Sequence, residues 1–159
     1  MSSLPQYAPR LAQSHDANRL DVWLAALRPL PVPDARARRL ALEALLAQGG
    51  QGACVMIDSS DGTMTVQALL PVTLVHSLLH AGRVAMVTEW WCAAANPASA
   101  SSQFDACVAL LDDWCRAHGI RHVLAAPALL SGSDPATGFM RDTSGLWRRD
   151  CVPAAKSLG

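Results

Sequence analysis

The sequence predicts an α+β fold, a mixed and mostly antiparallel sheet flanked by helices. Three observations carry that expectation. Hydrophobic periodicity gives a strand, two helices, three strands, one long helix, a strand, a short connector and one or two closing strands. The chain has 159 residues with no internal repeat and no interdomain linker, so 1–159 reads as a single domain. Hydrophobic residues make up 51% and charged residues 16%, against about 25% charged in an average soluble domain. Such a chain is rich enough in apolar residues to bury a core.

Tyr7–Ala12 reads as a short first strand. Ser14–Asp16 offers caps to a helix over Ala17–Leu27, whose Leu20, Trp23, Leu24 and Leu27 fall at i, i+3, i+4 and i+7. Pro29, Pro31 and Pro33 break it, and Asp34 caps a second helix over Ala35–Gln48 that ends at Gly49-Gly50. Ala53–Asp58 is a buried strand and Ser59–Gly62 a hairpin turn. Thr63–Leu70 alternates apolar and polar residues as a half-buried strand does. Val75–His80 reads as a helical turn or an irregular excursion, and Arg83–Cys92 as another strand. Ala93–Ser101 is a loop of small residues. Ser102–His118 is the clearest helix, with Ser102 and Asp105 forming a capping-box-like start and Phe104, Cys107, Val108, Leu111, Trp114 and Cys115 an apolar stripe. Ile120–Ala126 is a strand, and Gly138–Asp150 holds one or two more around Gly145.

Charge and cysteine usage exclude several classes. Lys+Arg and Asp+Glu are 13 each, so the formal net charge is zero. No basic excess exists to neutralise nucleic-acid phosphates or to grip an anionic membrane. No segment approaches the ~20 apolar residues of a membrane helix. The five cysteines are odd in number and form no C-x-x-C, and the N-terminal residues lack an apolar signal-peptide region. These features predict a reduced, cytoplasmic protein with buried thiols. Low charge also favours self-association, as a homo-oligomer or within a larger assembly.

Several segments resemble the GCN5-related N-acetyltransferase (GNAT) family, whose members transfer an acyl group from acyl-coenzyme A to an amine. Arg10-Leu11-Ala12-Gln13-Ser14-His15-Asp16, with Leu20 beyond it, is similar to the family's opening R-x-A-x-x-x-D-x-x-x-L. Val84–Cys92 resembles its central fourth strand, Ser102–Val123 its cofactor-side helix and following strand, and Gly138-Phe139 through Arg149 its closing segment. The family's [Q/R]-x-x-G-x-[G/A] signature has no counterpart. Ala95–Gln103 stands there without glycine or arginine, a degenerate coenzyme A pyrophosphate loop. The resemblance implies an acyl-CoA-dependent N-acyltransferase that uses acetyl-CoA and attacks the thioester directly with a small-molecule or protein amine. It implies Glu89 as the base, Trp91 and Cys92 against the pantetheine arm, and the N–H groups of Ser101, Ser102 and Gln103 on the pyrophosphate. The degenerate loop supports a second reading, a catalytically inactive GNAT-like structural or interaction protein, such as a bacteriophage particle component.

Other residues carry weaker signals. On a strand, Trp90 and Trp91 point to opposite faces. Glu89 could instead pair with Arg83 or Arg141. His76 and His80 are four apart, half of a zinc spacing, but no third ligand stands at a usual spacing and no metal site is expected. The only tyrosine is Tyr7, so the family's late tyrosine acid has no match, and Ser131, Ser133 or Asp134 stand near its asparagine position.

Overall fold

The computed structural model describes residues 8–130 and 138–151. Tyr7, Ser131, Ser133 and Asp134 lie outside the described residues. The elements are β1 (Pro9–Leu11), α1 (Ala17–Leu27), α2 (Val32–Leu46), β2 (Gly52–Asp58), β3 (Val66–Ser77), β4 (Gly82–Val87), β5 (Trp91–Cys92), α3 (Pro97–Ala117), β6 (His122–Ala125), β7 (Met140–Arg141) and β8 (Trp147–Asp150).

One mixed sheet runs in the order β1-β2-β3-β4-β6-β8-β7, with β5 paired to β3. All these pairings are antiparallel except β4 with β6. Central strand β2 is buried on both faces, and its side chains divide with the strand's period of two. Ala53, Val55 and Ile57 join Ala68, Leu70, Val72 and the α3 stripe in one core. Cys54 and Met56 join Leu20, Leu24, Leu42, Leu46 and Leu69 in the other, under α1 and α2. The sheet is thus the middle of three layers.

The expected strand Arg83–Cys92 divides into β4 and β5, several bounds shift by a residue or two, and four further boundaries differ for local reasons. Helix α2 starts at Val32, because Pro33 falls in its first turn, where a missing N–H costs nothing. Strand β3 starts at Val66. Residues 61–65 instead form a turn in which Asp61 Oδ1 accepts from the Thr63 N–H at 2.9 Å, and Met64 has φ of +58°. The segment 75–80 is neither helical turn nor excursion: β3 continues to Ser77 and a tight turn leads into β4. Helix α3 starts at Pro97 with Asn96 as its cap, five residues before the expected Ser102.

Pro71 lies inside β3 and interrupts its pairing on one side. The Leu74 N–H bonds to Gln51 on the β2 side, and the Gln67 carbonyl accepts from Ala93 on the β5 side. Backbone groups alternate sides along a strand, so position 71 would present its N–H toward β4 and β5, and proline has none. Pairing breaks there. Thr73 opposes Met86 and Leu69 opposes Trp91, so five steps on one strand match four on the other. The result is a bulge over residues 88–90, as expected opposite an interior proline.

Candidate functional site

Glu89 sits on this bulge. Strands β4 and β6 run parallel only over Ala85–Val87 and Val123–Ala125, closing with the Ala126 N–H on the Val87 carbonyl at 2.9 Å. Beyond that bond the chains part. The segment 88–92 stays with β3, and β6 gives way to a short 3-10 turn at Pro127–Leu130. The edge of β5 facing away from β3 therefore has no strand partner among the described residues.

Side chains alternate around this gap. Trp90 packs with the α3 core and meets Phe104 edge-on at 5.4 Å. Trp91 packs on the α1–α2 core and donates its indole N–H to Glu89 Oε1 at 3.0 Å. The two tryptophans face opposite sides, as expected. Glu89 is exposed and pairs with the indole rather than with Arg83 or Arg141, so the burial expected to tune it is not found. Its charge reaches the thiol of Cys54, which burial first and Glu89 second push up to about 12. Glu89 thus lies on the α1–α2 side of the sheet.

Cys92 and Gln103, from separate elements, come together. The Cys92 thiol donates to Gln103 Oε1 at 2.9 Å, and its sulfur accepts from the Ala94 N–H at 3.4 Å. Gln103 is buried, so this bond ties the end of β5 to α3. Ser101 and Ser102 are in the second turn of α3, and the exposed Ser102 hydroxyl donates to the Ala98 carbonyl at 3.0 Å. The early helix start corrects the expected role of the Ser101, Ser102 and Gln103 amides, which an α-helix from Pro97 turns toward carbonyls four residues back. Amides open to an anion belong to the first turn. There Pro97 has no N–H, the Ala98 N–H bonds to Asn96 Oδ1 at 2.9 Å, and the Ala100 N–H bonds to the Asn96 carbonyl at 3.0 Å. Sequence reasoning missed Asn96, although an Asn-Pro pair before a small-residue run is itself a helix-start signal.

The opening motif also takes on a physical meaning. Arg10 clamps Asp16 with two bonds of 2.8 and 2.9 Å and reaches Asp58 at 3.0 Å, while Arg19 bonds both carboxylates. This network joins β1, α1 and the end of β2. His76 lies in β3, and His80 lies in the β3–β4 turn, 3.2 Å from Asp142. Among the described residues no His, Cys, Asp or Glu group could hold a metal ion.

This architecture, with parallel strands parting beside a bulged strand and a helix beyond it, is the GNAT fold. An integron cassette protein from the mobile metagenome of the Cole Harbour salt marsh superposes with a TM-score of 0.66 at 18% identity, over 95% of this chain and 90% of its own. A GNAT family N-acetyltransferase from Escherichia coli, YhbS, solved in complex with CoA, superposes with a TM-score of 0.61 at 13% identity, over 96% and 85%. An N-acetyltransferase from Staphylococcus aureus does so with 0.58 at 7% identity, over 93% and 99%. No protein-family model and no curated protein matches the sequence. The structural likeness extends over nearly the whole chain, while sequence identity to these three structures is low.

Proposed function

We propose that the chain is an acyl-CoA-dependent N-acyltransferase acting on an amine. The observation that carries this reading is the parting of β4 and β6, which leaves an edge of β5, two residues from Glu89, with no strand partner among the described residues. The residues fit the carrier in two respects. On the outer edge of β5, the Cys92 backbone faces away from β3 and is offered to an amide-containing pantetheine arm, and the small side chains of Ala93–Ala95 keep the start of α3 uncluttered. Ser99 and Ser101 would meet the diphosphate there, together with the Ala98 N–H once Asn96 turns aside. Bound acyl-CoA supplies the activated thioester. Glu89, oriented by the Trp91 indole, accepts the proton of the attacking ammonium directly or through a water. The β5 backbone would polarise the acyl carbonyl while the C–N bond forms and the C–S bond breaks, and the departing coenzyme A thiolate would take its proton from water.

One observation favours a second reading. Asn96 occupies one of the first-turn amides that an anion would use, as expected of a non-catalytic protein that keeps the fold for structural or interaction purposes, a phage particle component included. Calorimetric titration with acetyl-CoA separates the two. Saturable binding, retained in Glu89→Gln with loss of turnover on an amine panel, supports the transferase. Absence of binding at millimolar ligand would sink it and leave the second reading.

A further inference from the structure

Helices α1 and α2 expose more apolar surface than a sheet cover needs. Among the described residues eight large hydrophobic side chains are exposed, and five lie on or beside these two helices: Val22 at 71%, Leu27 at 42%, Val32 at 65%, Leu40 at 67% and Met64 at 58%. Singly such residues need no explanation, but grouped they mark an interaction surface. A groove of about 560 Å³ runs between α1 and α2, with Leu30, Val32 and Leu40 on its walls and Asp21, Arg36 and Glu43 among its charged residues. A second, of about 510 Å³, lies on the other side of α1 against Val22, Trp23 and Met64.

The order of residues along α2 says what fits there. Val32, Arg36, Leu40 and Glu43 recur at i, i+4, i+8 and i+11, one stripe of the helix. The stripe reads apolar, positive, apolar, negative. Laid antiparallel on a copy of itself about a two-fold axis near Leu40, each Arg36 meets the other copy's Glu43, and the two Leu40 side chains meet on the axis. Arg36 has no partner among the described residues. Glu43 commits one oxygen to Arg39 at 2.7 Å, and its side chain is 47% exposed. A partner of one charge sign would match only half of this pattern, whereas a second copy matches all of it. Zero net charge leaves little repulsion between copies.

We propose that the α1–α2 face is the contact between two copies of this chain, with α2 packed antiparallel on α2 of the other copy. The proposal does not depend on the catalytic reading. Sedimentation equilibrium at micromolar concentrations should give twice the 16.9 kDa chain mass. Arg36→Glu sets like charges together at both ends of the stripe and should weaken the dimer by about tenfold or more. Glu43→Arg should do the same, and the double charge swap should restore association. Leu40→Cys should yield a disulfide-linked dimer under mild oxidation. These positions are exposed, and unchanged thermal melting checks that each variant folds. A wild-type monomer throughout, or a dimer that Arg36→Glu leaves intact and Leu40→Cys does not cross-link, overturns the proposal.

Discussion

Asp16 is buried, yet its carboxylate accepts from Arg10, from Arg19 and from the backbone N–H of Gln13. The hydrogen bonds from Arg10, more than any other contact, hold its pKa below the ordinary carboxylate range. Asp142 is held low as well, first by the Ser144 hydroxyl and then by Arg148 and His80. A lowered folded-state pKa contributes stability that is complete above the unfolded value of about 3.9 and is lost as the pH falls below it. Asp16→Asn should therefore destabilise the chain by about 2 kcal/mol at neutral pH, because Arg10 and Arg19 keep Asp58 but lose their charged bonds to Asp16. Urea unfolding should show that deficit shrinking as the pH falls below about 3.9, where the unfolded carboxylate takes up a proton and the folded one does not. A deficit independent of pH would mean that packing, not charge, is at stake. The Arg10…Asp16 spacing was legible as a motif, but its partner Asp58 was not, since only the β1–β2 pairing brings it near. Glu89 was legible as a lone acid on a strand. Its exposure was not, because the bulge that turns it outward originates in Pro71, a residue of another strand.

At the scale of elements, prolines account for several of the differences between sequence and structure. Pro33 reads as a helix breaker and Pro97 falls in the expected loop, but both sit in first turns, so α2 and α3 begin earlier than expected. The α3 stripe, by contrast, was legible, since its positions from Phe104 to Cys115 lie in the core as the 3.6-residue period requires, whereas Leu27, read into the α1 stripe, is exposed. Pro71→Val would restore an N–H toward the bulge and let β4 run on. Hydrogen exchange should then show slower amides at residues 88–90, and any acyl transfer should fall as Glu89 shifts register. Asn96→Gly tests the start of α3. Loss of the cap costs only a few tenths of a kcal/mol with glycine, and it frees the Ala98 amide. The expected outcome is a severalfold gain in coenzyme A affinity by calorimetry with nearly unchanged melting. Unaltered affinity would show that this amide plays no part. Gly52 marks where β2 passes under α2. A Cβ there would overlap the Val72 carbonyl oxygen and crowd Leu45, so Gly52→Ala should cost about 3 kcal/mol in denaturant unfolding.

For the molecule as a whole, the order of elements told the fold class, because runs of strands separated by helices, rather than strict strand–helix alternation, belong to an α+β sheet. Which strands pair is a non-local fact, and the parallel contact of β4 with β6 was not legible in any single segment. That contact spans three residues on each strand, from Ala85–Val123 to Val87–Ala125. On one side of it, β1 to β4 form a meander whose pairings after β1 are between neighbours in sequence. On the other side, β6, β7 and β8 form a small antiparallel group that reaches the meander chiefly through this seam and α3. Closing the seam brings Ala85 to Val123 across the whole of α3, a loop that must be ordered before the contact forms. As the chain leaves the ribosome, the meander can therefore assemble while the closing strands are still being made. The parting of β4 from β6 beside Glu89 comes into being only when β6 joins β4, so a chain stalled before that step would hold the meander without this feature.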